Sequence, residues 1–183
     1  MGEAMDAELT GWINGLSGTA PVDGALTLVA AYGVPLIVAL VVAQWWSGTE
    51  SRHIRHVAIV AGLAFVLGLA VNQLVLLGVH RVRPYDAGVT RLLIAKSADW
   101  SFPSDHATAS VAVAVAFWIK GLRLRGLVLA GLAALICFAR VYLGIHYVGD
   151  ILGGALTGAL AALLVVWAYP EGSRIDRFAT GIL

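Results

Sequence analysis

Long apolar runs constrain this chain more than any other feature of its sequence. An α-helix needs about 20 apolar residues to cross a bilayer, and five runs approach or reach that length. With 60% hydrophobic and only 13% charged residues, the chain is too apolar for an ordinary soluble domain. We therefore predict an all-α, polytopic membrane helical bundle that forms one domain over residues 1–183. The expected spans are residues 25–46, 57–79, 103–119, 127–143 and 150–169.

Two shorter segments are expected to lie on the membrane surface. Between residues 4 and 16, apolar residues such as Leu9 and Trp12 recur near helical spacing, which predicts an interfacial helix. A break at residues 21–24 should separate it from the first span. Because no lysine or arginine precedes that span, the chain does not begin like a cleavable signal, and we expect the first span to be retained. Residues 89–95 are predicted to form a second interfacial helix.

The positive residues predict how the bundle is oriented. One side of the membrane receives the 47–56 loop, the 120–125 turn and the C-terminal tail. By the positive-inside rule that side is cytoplasmic, which puts the N-terminus and the opposite helix ends outside. A net charge of +1 gives no general basic field, so nucleic acid is not expected as a partner. The residues that carry this argument are Arg52, Arg55, Lys120, Arg123, Arg125, Arg174 and Arg177.

Polar and small residues within the apolar runs predict contacts between helices. Asn72 and Gln73 interrupt the second span, and both are expected to face other helices instead of lipid. Small residues at the start of the last span should permit close helix approach. They are Gly149, Gly153, Gly154 and Gly158.

The stretch from Arg140 to Asp150 puts a cation, an imidazole and a carboxylate among apolar residues. Ionisable groups at membrane depth are costly unless they face a polar cavity, so this stretch is a candidate site. Asp150 follows His146 by four residues, and in a helix this spacing places both side chains on one face, where the carboxylate can orient the imidazole. The same pair could also simply satisfy each other between packed helices.

Two further stretches on the same outer side supply complementary groups. They are residues 80–84 at the end of the second span and residues 101–106 at the start of the third. The guanidinium groups of Arg83 and Arg140 match the oxygens of a phosphate. Ser104 lies where a helix is expected to begin, and the free N–H groups at such an end also favour an anion. Its hydroxyl could bind the phosphate or cap the helix.

Two histidines can divide the chemistry of phosphoryl transfer. His146, held by Asp150, suits a neutral nucleophile, and His106 suits a proton donor to the leaving oxygen. The chain has no cluster of carboxylates with the spacing that a divalent metal needs. Arginines and a helix N-terminus would then offset the phosphate charge, and we expect neither a metal nor a cofactor.

These residues resemble the three signature motifs of the type 2 phosphatidic acid phosphatase (PAP2) superfamily of membrane lipid phosphatases. The motifs are Arg83-Pro84, Pro103-Ser104-Asp105-His106, and Arg140 with His146 and Asp150. The resemblance implies a helical membrane bundle in which His146 attacks phosphorus to form a phosphohistidine, Asp150 orients His146, and His106 protonates the leaving group. It also implies that the phosphoryl oxygens are bound by Arg83, Ser104 and Arg140.

Three departures from the family pattern affect the predicted phosphate site. Ala139 stands where the third motif usually begins with a serine, which removes a minor hydrogen bond. Leu76 stands where the first motif usually has a lysine, so Arg81 or His80 is predicted to supply the missing phosphate-binding cation. Asp105 replaces the usual glycine of the second motif. Its backbone N–H is still available, so it is retained among the predicted phosphate-binding residues.

The run Ser-Phe-Pro-Ser-Asp-His-Ala at residues 101–107, with Ile-Asn-Gly-Leu at 13–16, is similar to bacterial undecaprenyl-diphosphate phosphatases of the bacitracin-resistance type. This similarity implies an isoprenyl diphosphate lipid as substrate, cleaved so that the carrier lipid can be reused for cell-wall precursors. Two alternatives stay open. One is a phosphatase for another lipid phosphate, such as phosphatidylglycerol phosphate, phosphatidic acid or a decaprenyl-linked sugar phosphate. The other is a lipid-binding relative that has lost catalysis, which Leu76 motivates.

Overall fold

The computed structural model describes residues 2–46 and 51–182, and within these ranges the regular structure is helical. This confirms the predicted all-α class. Part of the predicted 47–56 loop, residues 47–50, lies outside the described residues. The helices are α1 (Gly2–Asn14), α2 (Ala20–Ala43), a 3₁₀ helix (Gln44–Trp46), α3 (Ser51–Leu76), α4 (Asp105–Ile119), α5 (Arg123–Tyr142), α6 (Val148–Ala168) and α7 (Arg174–Thr180).

Among the described residues, four helical segments are long and apolar enough to cross a membrane: Ala20–Trp46, Arg52–Leu76, Arg123–Tyr142 and Val148–Ala168. The remaining predicted span corresponds to α4, which has 15 residues. At about 1.5 Å per residue it is shorter than the roughly 30 Å hydrocarbon core. It begins at Asp105 and not at Pro103, because Ser104 has the extended backbone angles of an N-cap. A total of five spans stays a prediction.

The short helix α4 packs against α3, α5 and α6. Most of its residues between Ala107 and Phe117 are buried, and many of them are alanines that let the neighbouring helices approach. The predicted role of the α6 glycines is confirmed at Gly154 and Gly158, where a Cβ would overlap backbone carbonyl oxygens of Ser104 and α4. This close contact fixes the N-terminal end of α4 against the start of α6.

Helix α1 packs against α5 and α6. Asp6, Thr10 and Asn14 recur every four residues and so share one helix face, and both Thr10 and Asn14 are buried against the protein. In contrast, Leu9 and Trp12 are 44% and 66% exposed. A polar face on the protein and an apolar face directed away from it suit a helix that lies at a membrane interface.

Two predicted boundaries were wrong. Helix α2 begins at Ala20, so the break expected at residues 21–24 is its first turn, where a proline is tolerated because the N–H it lacks would have no helical acceptor. Helix α3 begins at Ser51, and Arg52 and Arg55 therefore lie in its first turns and not in a loop.

The two amide side chains of α3, Asn72 and Gln73, differ in burial. Asn72 is fully buried, as predicted, whereas Gln73 is exposed, contrary to the prediction. Successive residues are about 100° apart around a helix, so only one of the two can face the neighbouring helices.

The interfacial helix predicted over residues 89–95 does not form; this segment consists of bends and coil. Its backbone is paired with other elements. The Arg91 amide donates to Asn14 Oδ1 at 2.8 Å, and the Leu93 amide donates to the Leu143 carbonyl at 3.1 Å. In an α-helix over these residues the Leu93 amide would instead donate to the Val89 carbonyl, four residues earlier. The segment is instead held against α1 and the turn that follows α5.

Candidate active site

A cavity of about 100 Å³ lies where the three motif stretches meet. Five of the eight predicted site residues line it, namely Arg83, Asp105, His106, Arg140 and His146. The other lining residues are Leu76, Ser97, Asp99, Trp100 and Pro103. Segments far apart in the sequence therefore converge on one enclosed space.

His146 lies in the turn between α5 and α6 and is buried. Its Nδ1 is 2.9 Å from the Ser101 carbonyl oxygen, which can only accept, so Nδ1 carries the proton and Nε2 has the lone pair. Nε2 is 3.4 Å from a guanidinium nitrogen of Arg83. Burial lowers the pKa of His146, the charges of Arg140 and Arg83 act in the same direction, and the Asp150 carboxylate opposes them. A neutral imidazole with its lone pair on Nε2 can act as a nucleophile.

Asp150 is fully buried and is the third residue of α6. The predicted helical face shared with His146 does not form, because His146 precedes the helix. The Asp150 carboxylate is 3.4 Å from Nδ1 of His146. Its closer partners are the Tyr147 amide at 2.8 Å, Arg81 at 2.7 Å and the Ser101 hydroxyl. Because the hydroxyl of Ser101 binds Asp150 and its carbonyl binds His146, Asp150 orients the imidazole mainly through Ser101.

Arg81 is outside the cavity lining, its contacts are with carboxylates, and its role as a phosphate ligand stays a prediction. It forms ion pairs with Asp150 at 2.7 Å and with Asp6 at 2.6 Å. Two carboxylates offset the charge of Arg81, which holds Asp150 in place from the side away from the cavity. His80 is exposed and is also outside the lining. Leu76 itself lines the cavity, so an apolar side chain occupies the position where the family usually has a lysine.

Arg83 is only 5% exposed and ties the loop before α4 to the turn that carries His146. It donates to the Asp99 carboxylate at 2.7 Å and to the Asp99 carbonyl at 3.0 Å. Further bonds reach the carbonyl oxygens of Trp100 at 3.2 Å and Ile145 at 2.9 Å. Arg83 is thus both a wall of the cavity and a connection between two of its segments.

Arg140 and Ser104 have buried polar atoms that lack hydrogen-bond partners among the described residues. For Arg140 the atom is Nε, although the residue is only 8% exposed. For Ser104 it is the hydroxyl, which makes no capping bond to α4. The capping role considered for the Ser104 side chain is therefore wrong. Burying an unpaired polar group costs about 1–3 kcal/mol. Arg140 lines the cavity and Ser104 lies between two residues that line it, so both are candidate donors for an oxyanion there.

His106 and Asp105 lie in the first turn of α4, and both line the cavity. The Asp105 carboxylate accepts a bond from Asn72 Nδ2 at 2.7 Å, and the same amide nitrogen donates to Thr108 Oγ1 at 2.9 Å. Asn72 therefore holds the start of α4 against α3. The backbone N–H groups of this first turn have no acceptor within the helix, which is consistent with the anion-binding role predicted for the Asp105 amide.

Three residues of the site were missed by the sequence analysis. Ser101 lies within a motif stretch, but nothing in the sequence indicates that both its hydroxyl and its carbonyl are used. Asp99 pairs with Arg83, although it belongs to none of the three motifs. Asp6 comes from α1, far from the motifs, and only the four-residue polar spacing of that helix could have indicated that it faces the protein.

The fold and the site define a class: a membrane helical bundle whose histidines and arginines surround an anion-sized cavity. Within the described residues, no group of three or more His, Cys, Asp or Glu side chains is placed to hold a metal ion. The chain belongs to the PAP2 superfamily, because the model of this family matches residues 56–174. It is accordingly a membrane PAP2 phosphatase, and the predicted family is confirmed.

The chain is similar to known members of this family. It is 32% identical over 163 residues to undecaprenyl-diphosphatase BcrC of Bacillus subtilis, which covers 87% of this chain and 82% of that protein. Human sphingosine-1-phosphate phosphatase 2 is 37% identical over 101 residues, 51% of this chain and 25% of that protein. A crystal structure of a PAP2-type phosphatidylglycerolphosphate phosphatase from Bacillus subtilis has a TM-score of 0.71 at 24% identity, covering 94% and 88% of the two chains. At that identity the likeness establishes the fold.

Proposed function

We propose that this PAP2 phosphatase hydrolyses the terminal phosphate of undecaprenyl diphosphate through a covalent phosphohistidine at His146. One observation carries the proposal. The Nδ1 of the buried His146 imidazole is held by the Ser101 carbonyl at 2.9 Å, and the ring lines a cavity shared with Arg83 and Arg140. A neutral imidazole beside two guanidinium groups suits attack on a phosphate.

In the first step, the Nε2 lone pair of His146 attacks the terminal phosphorus, and the bond from phosphorus to the bridging oxygen breaks. His106 donates a proton to that oxygen, and undecaprenyl phosphate leaves. In the second step, His106 takes a proton from a water molecule, which attacks the phosphohistidine and releases inorganic phosphate. Arg83 and Arg140 offset the charge on the phosphoryl oxygens in both steps.

Support for the substrate comes from the relatives. The 32% identity to a protein named undecaprenyl-diphosphatase covers 87% of this chain. Other PAP2 proteins to which the chain is similar carry the names of sphingosine-1-phosphate and phosphatidylglycerolphosphate phosphatases. The reaction at phosphorus is common to these substrates, so the choice among lipids is the part that most needs a direct test.

We also place the cavity on the outer face of the cell membrane, with the C-terminus in the cytoplasm. At the end of the bundle opposite the cavity, Arg55 donates to the Thr180 carbonyl at 3.0 Å, and Lys120 lies 3.2 Å from Glu171. Arg55 at the start of α3 and Lys120 after α4 therefore lie at one end, which the positive-inside rule assigns to the cytoplasm. An outer site would meet a diphosphate lipid that is released there during cell-wall synthesis.

The substrate proposal is tested by phosphate release from purified protein at matched detergent ratios. We expect the highest kcat/KM for undecaprenyl diphosphate, compared with phosphatidylglycerol phosphate and phosphatidic acid. Faster turnover of a glycerolipid would overturn the substrate. Absence of turnover with all three lipids would favour the non-catalytic relative. Rapid quenching during turnover should also give acid-labile phosphate bound to the protein, as a phosphohistidine requires.

A further inference from the structure

A second cavity, of about 320 Å³, adjoins the catalytic one. Its walls come from α2, from residues 94–97 and from the end of α5. Arg140 and Ser97 line both cavities, so the two spaces meet at these side chains. A group that occupies the second cavity lies against the same guanidinium as a phosphate in the first.

The guanidinium of Arg140 has the capacity to bind two neighbouring anionic groups. It carries five N–H donors, and none is bonded to an acceptor among the described residues, where its Nε is buried without a partner. The two phosphates of a diphosphate share a bridging oxygen, so one guanidinium can contact both. Since the catalytic cavity measures only about 100 Å³, the remainder of a lipid headgroup must extend beyond it.

Lys96 supplies a second cation at the mouth of this cavity. Its Nζ is 2.7 Å from the Asp86 carboxylate, and the two side chains are 69% and 48% exposed. Exposed ion pairs are weak because both partners are well solvated. The long, flexible lysine side chain can therefore exchange this carboxylate for a phosphate.

The wall from α2 is apolar and suits the start of a hydrocarbon chain. It consists of Thr27, Ala30 and Ala31, and the Thr27 hydroxyl is bonded within its own helix to the Asp23 carbonyl at 2.8 Å. Ala30 is buried, while Ala31 is exposed at the side of a helix long and apolar enough to span a membrane. A chain that leaves the headgroup across these small side chains would pass directly into lipid.

We propose that the second cavity is a subsite for the non-transferred phosphate of an isoprenyl diphosphate, bound by Lys96 and Arg140, with the first isoprene units over Ala30 and Ala31. This inference rests on the proposed function and deepens it. Lys96 becomes a specificity-determining residue that favours a lipid diphosphate over a lipid monophosphate, whereas the catalytic cavity treats both alike.

The test compares kcat/KM for farnesyl diphosphate and farnesyl monophosphate in the wild type and in two variants. In Lys96→Ala, we expect the ratio of the diphosphate value to the monophosphate value to fall about tenfold, as for the loss of a bond to a charged group. In Asp86→Asn, Lys96 is released from its partner, and we expect the KM for the diphosphate to stay the same or fall. Lys120→Ala removes a lysine at the opposite end and serves as the matched control, with an unchanged ratio.

Two outcomes overturn the subsite. One is an unchanged ratio in Lys96→Ala. The other is a loss in Asp86→Asn equal to that in Lys96→Ala, because the ion pair itself would then be what matters. Failure of the proposed function would give a different result, because the wild-type protein would itself show no preference for the diphosphate over the monophosphate. Retention of circular dichroism and of the melting temperature in each variant separates these results from misfolding.

Discussion

At one end of the helical bundle His146 lies beside Asp150, and at the other end His56 lies beside Asp176. Both pairs are buried, and the second is the closer, with 2.7 Å between His56 Nδ1 and the carboxylate against 3.4 Å at His146. The His56 ring also stacks on Tyr169 at 5.3 Å. By proximity alone, His56 and Asp176 would be the better histidine–carboxylate pair.

The surroundings of the two pairs differ in charge. At the second end cations such as Lys120 and Arg55 have acceptors, since Lys120 lies 3.2 Å from the Glu171 carboxylate and Arg55 donates to the Thr180 carbonyl at 3.0 Å. At the first end Arg140 has no such partner among the described residues and shares a cavity with His146. A histidine–aspartate pair therefore does not mark a site by itself. What marks the site is a buried cation that the protein leaves without an acceptor.

The largest effect should come from making the same substitution at both ends. His146→Gln removes the nucleophile, and we expect kcat to fall by about a thousandfold or more. His56→Gln should leave kcat within about twofold in the protein that remains folded, because a group outside the cavity contributes to folding and not to the chemical step. Phosphate release from the lipid diphosphate, measured well below the melting temperature, gives both values. Comparable losses at the two ends would refute the assignment of His146.

Arg140→Ala should have the next largest effect. Loss of a preorganised donor to a developing anion typically costs about 10²–10³ in kcat, and Arg140 is the cation here that is not already committed to a protein acceptor. Arg140→Lys is expected to recover only part of the activity, since an ammonium lacks the planar fork of donors. Full activity in Arg140→Ala would mean that Arg83 alone binds the phosphate and would remove the distinction between the two ends.

Much of this architecture could be predicted from the sequence because it depends on local patterns. Apolar runs of spanning length predict helices, and motif residues at the ends of those runs predict a shared site. The sequence is less informative where distant contacts decide the outcome. Residues 89–95 pair their backbone with α1 and the α5–α6 turn, and Arg81 meets a carboxylate from α1. His146 lies outside a helix because Gly144, in the left-handed region at φ 80°, follows the end of α5.

A smaller effect is expected from Asp6→Asn, which tests the contacts that hold Arg81 against Asp150. Asp6 binds Arg81 at 2.6 Å and the Gly149 amide at 2.8 Å, and Arg81 in turn binds Asp150. The asparagine keeps an acceptor oxygen but loses the charge. Arg81 should then bind Asp150 more strongly, which weakens the hydrogen bond between Asp150 and Ser101. We expect kcat to fall about three- to tenfold with KM nearly unchanged, because none of these groups lines the cavity.

The matched control for Asp6→Asn is Glu8→Gln, which removes an exposed carboxylate from the same helix and should leave kcat unchanged. A purely structural role for Asp6 would lower the melting temperature without lowering kcat of the folded protein. A rise in KM with kcat unchanged would instead place Arg81 on the substrate, as the sequence predicts.

The smallest effect on activity should come from Asp176→Asn, which tests the end of the bundle that contains His56 and Asp176. The Asp176 carboxylate accepts from His56 and from the Gly172 amide, each at 2.7 Å. Burial would raise the pKa of Asp176, but these bonds lower it below its ordinary value. The charged carboxylate therefore stabilises the fold fully above the ordinary pKa, and this stabilisation is lost as the pH falls through the lowered pKa. Removing the charge should cost about 1–3 kcal/mol, seen as a lower melting temperature at pH 7, with the difference from wild type shrinking as the pH falls below about 4. Since no bond of Asp176 reaches the catalytic cavity, kcat of the folded variant should match the wild type, and a loss of kcat with an unchanged melting temperature would show that the two ends are coupled.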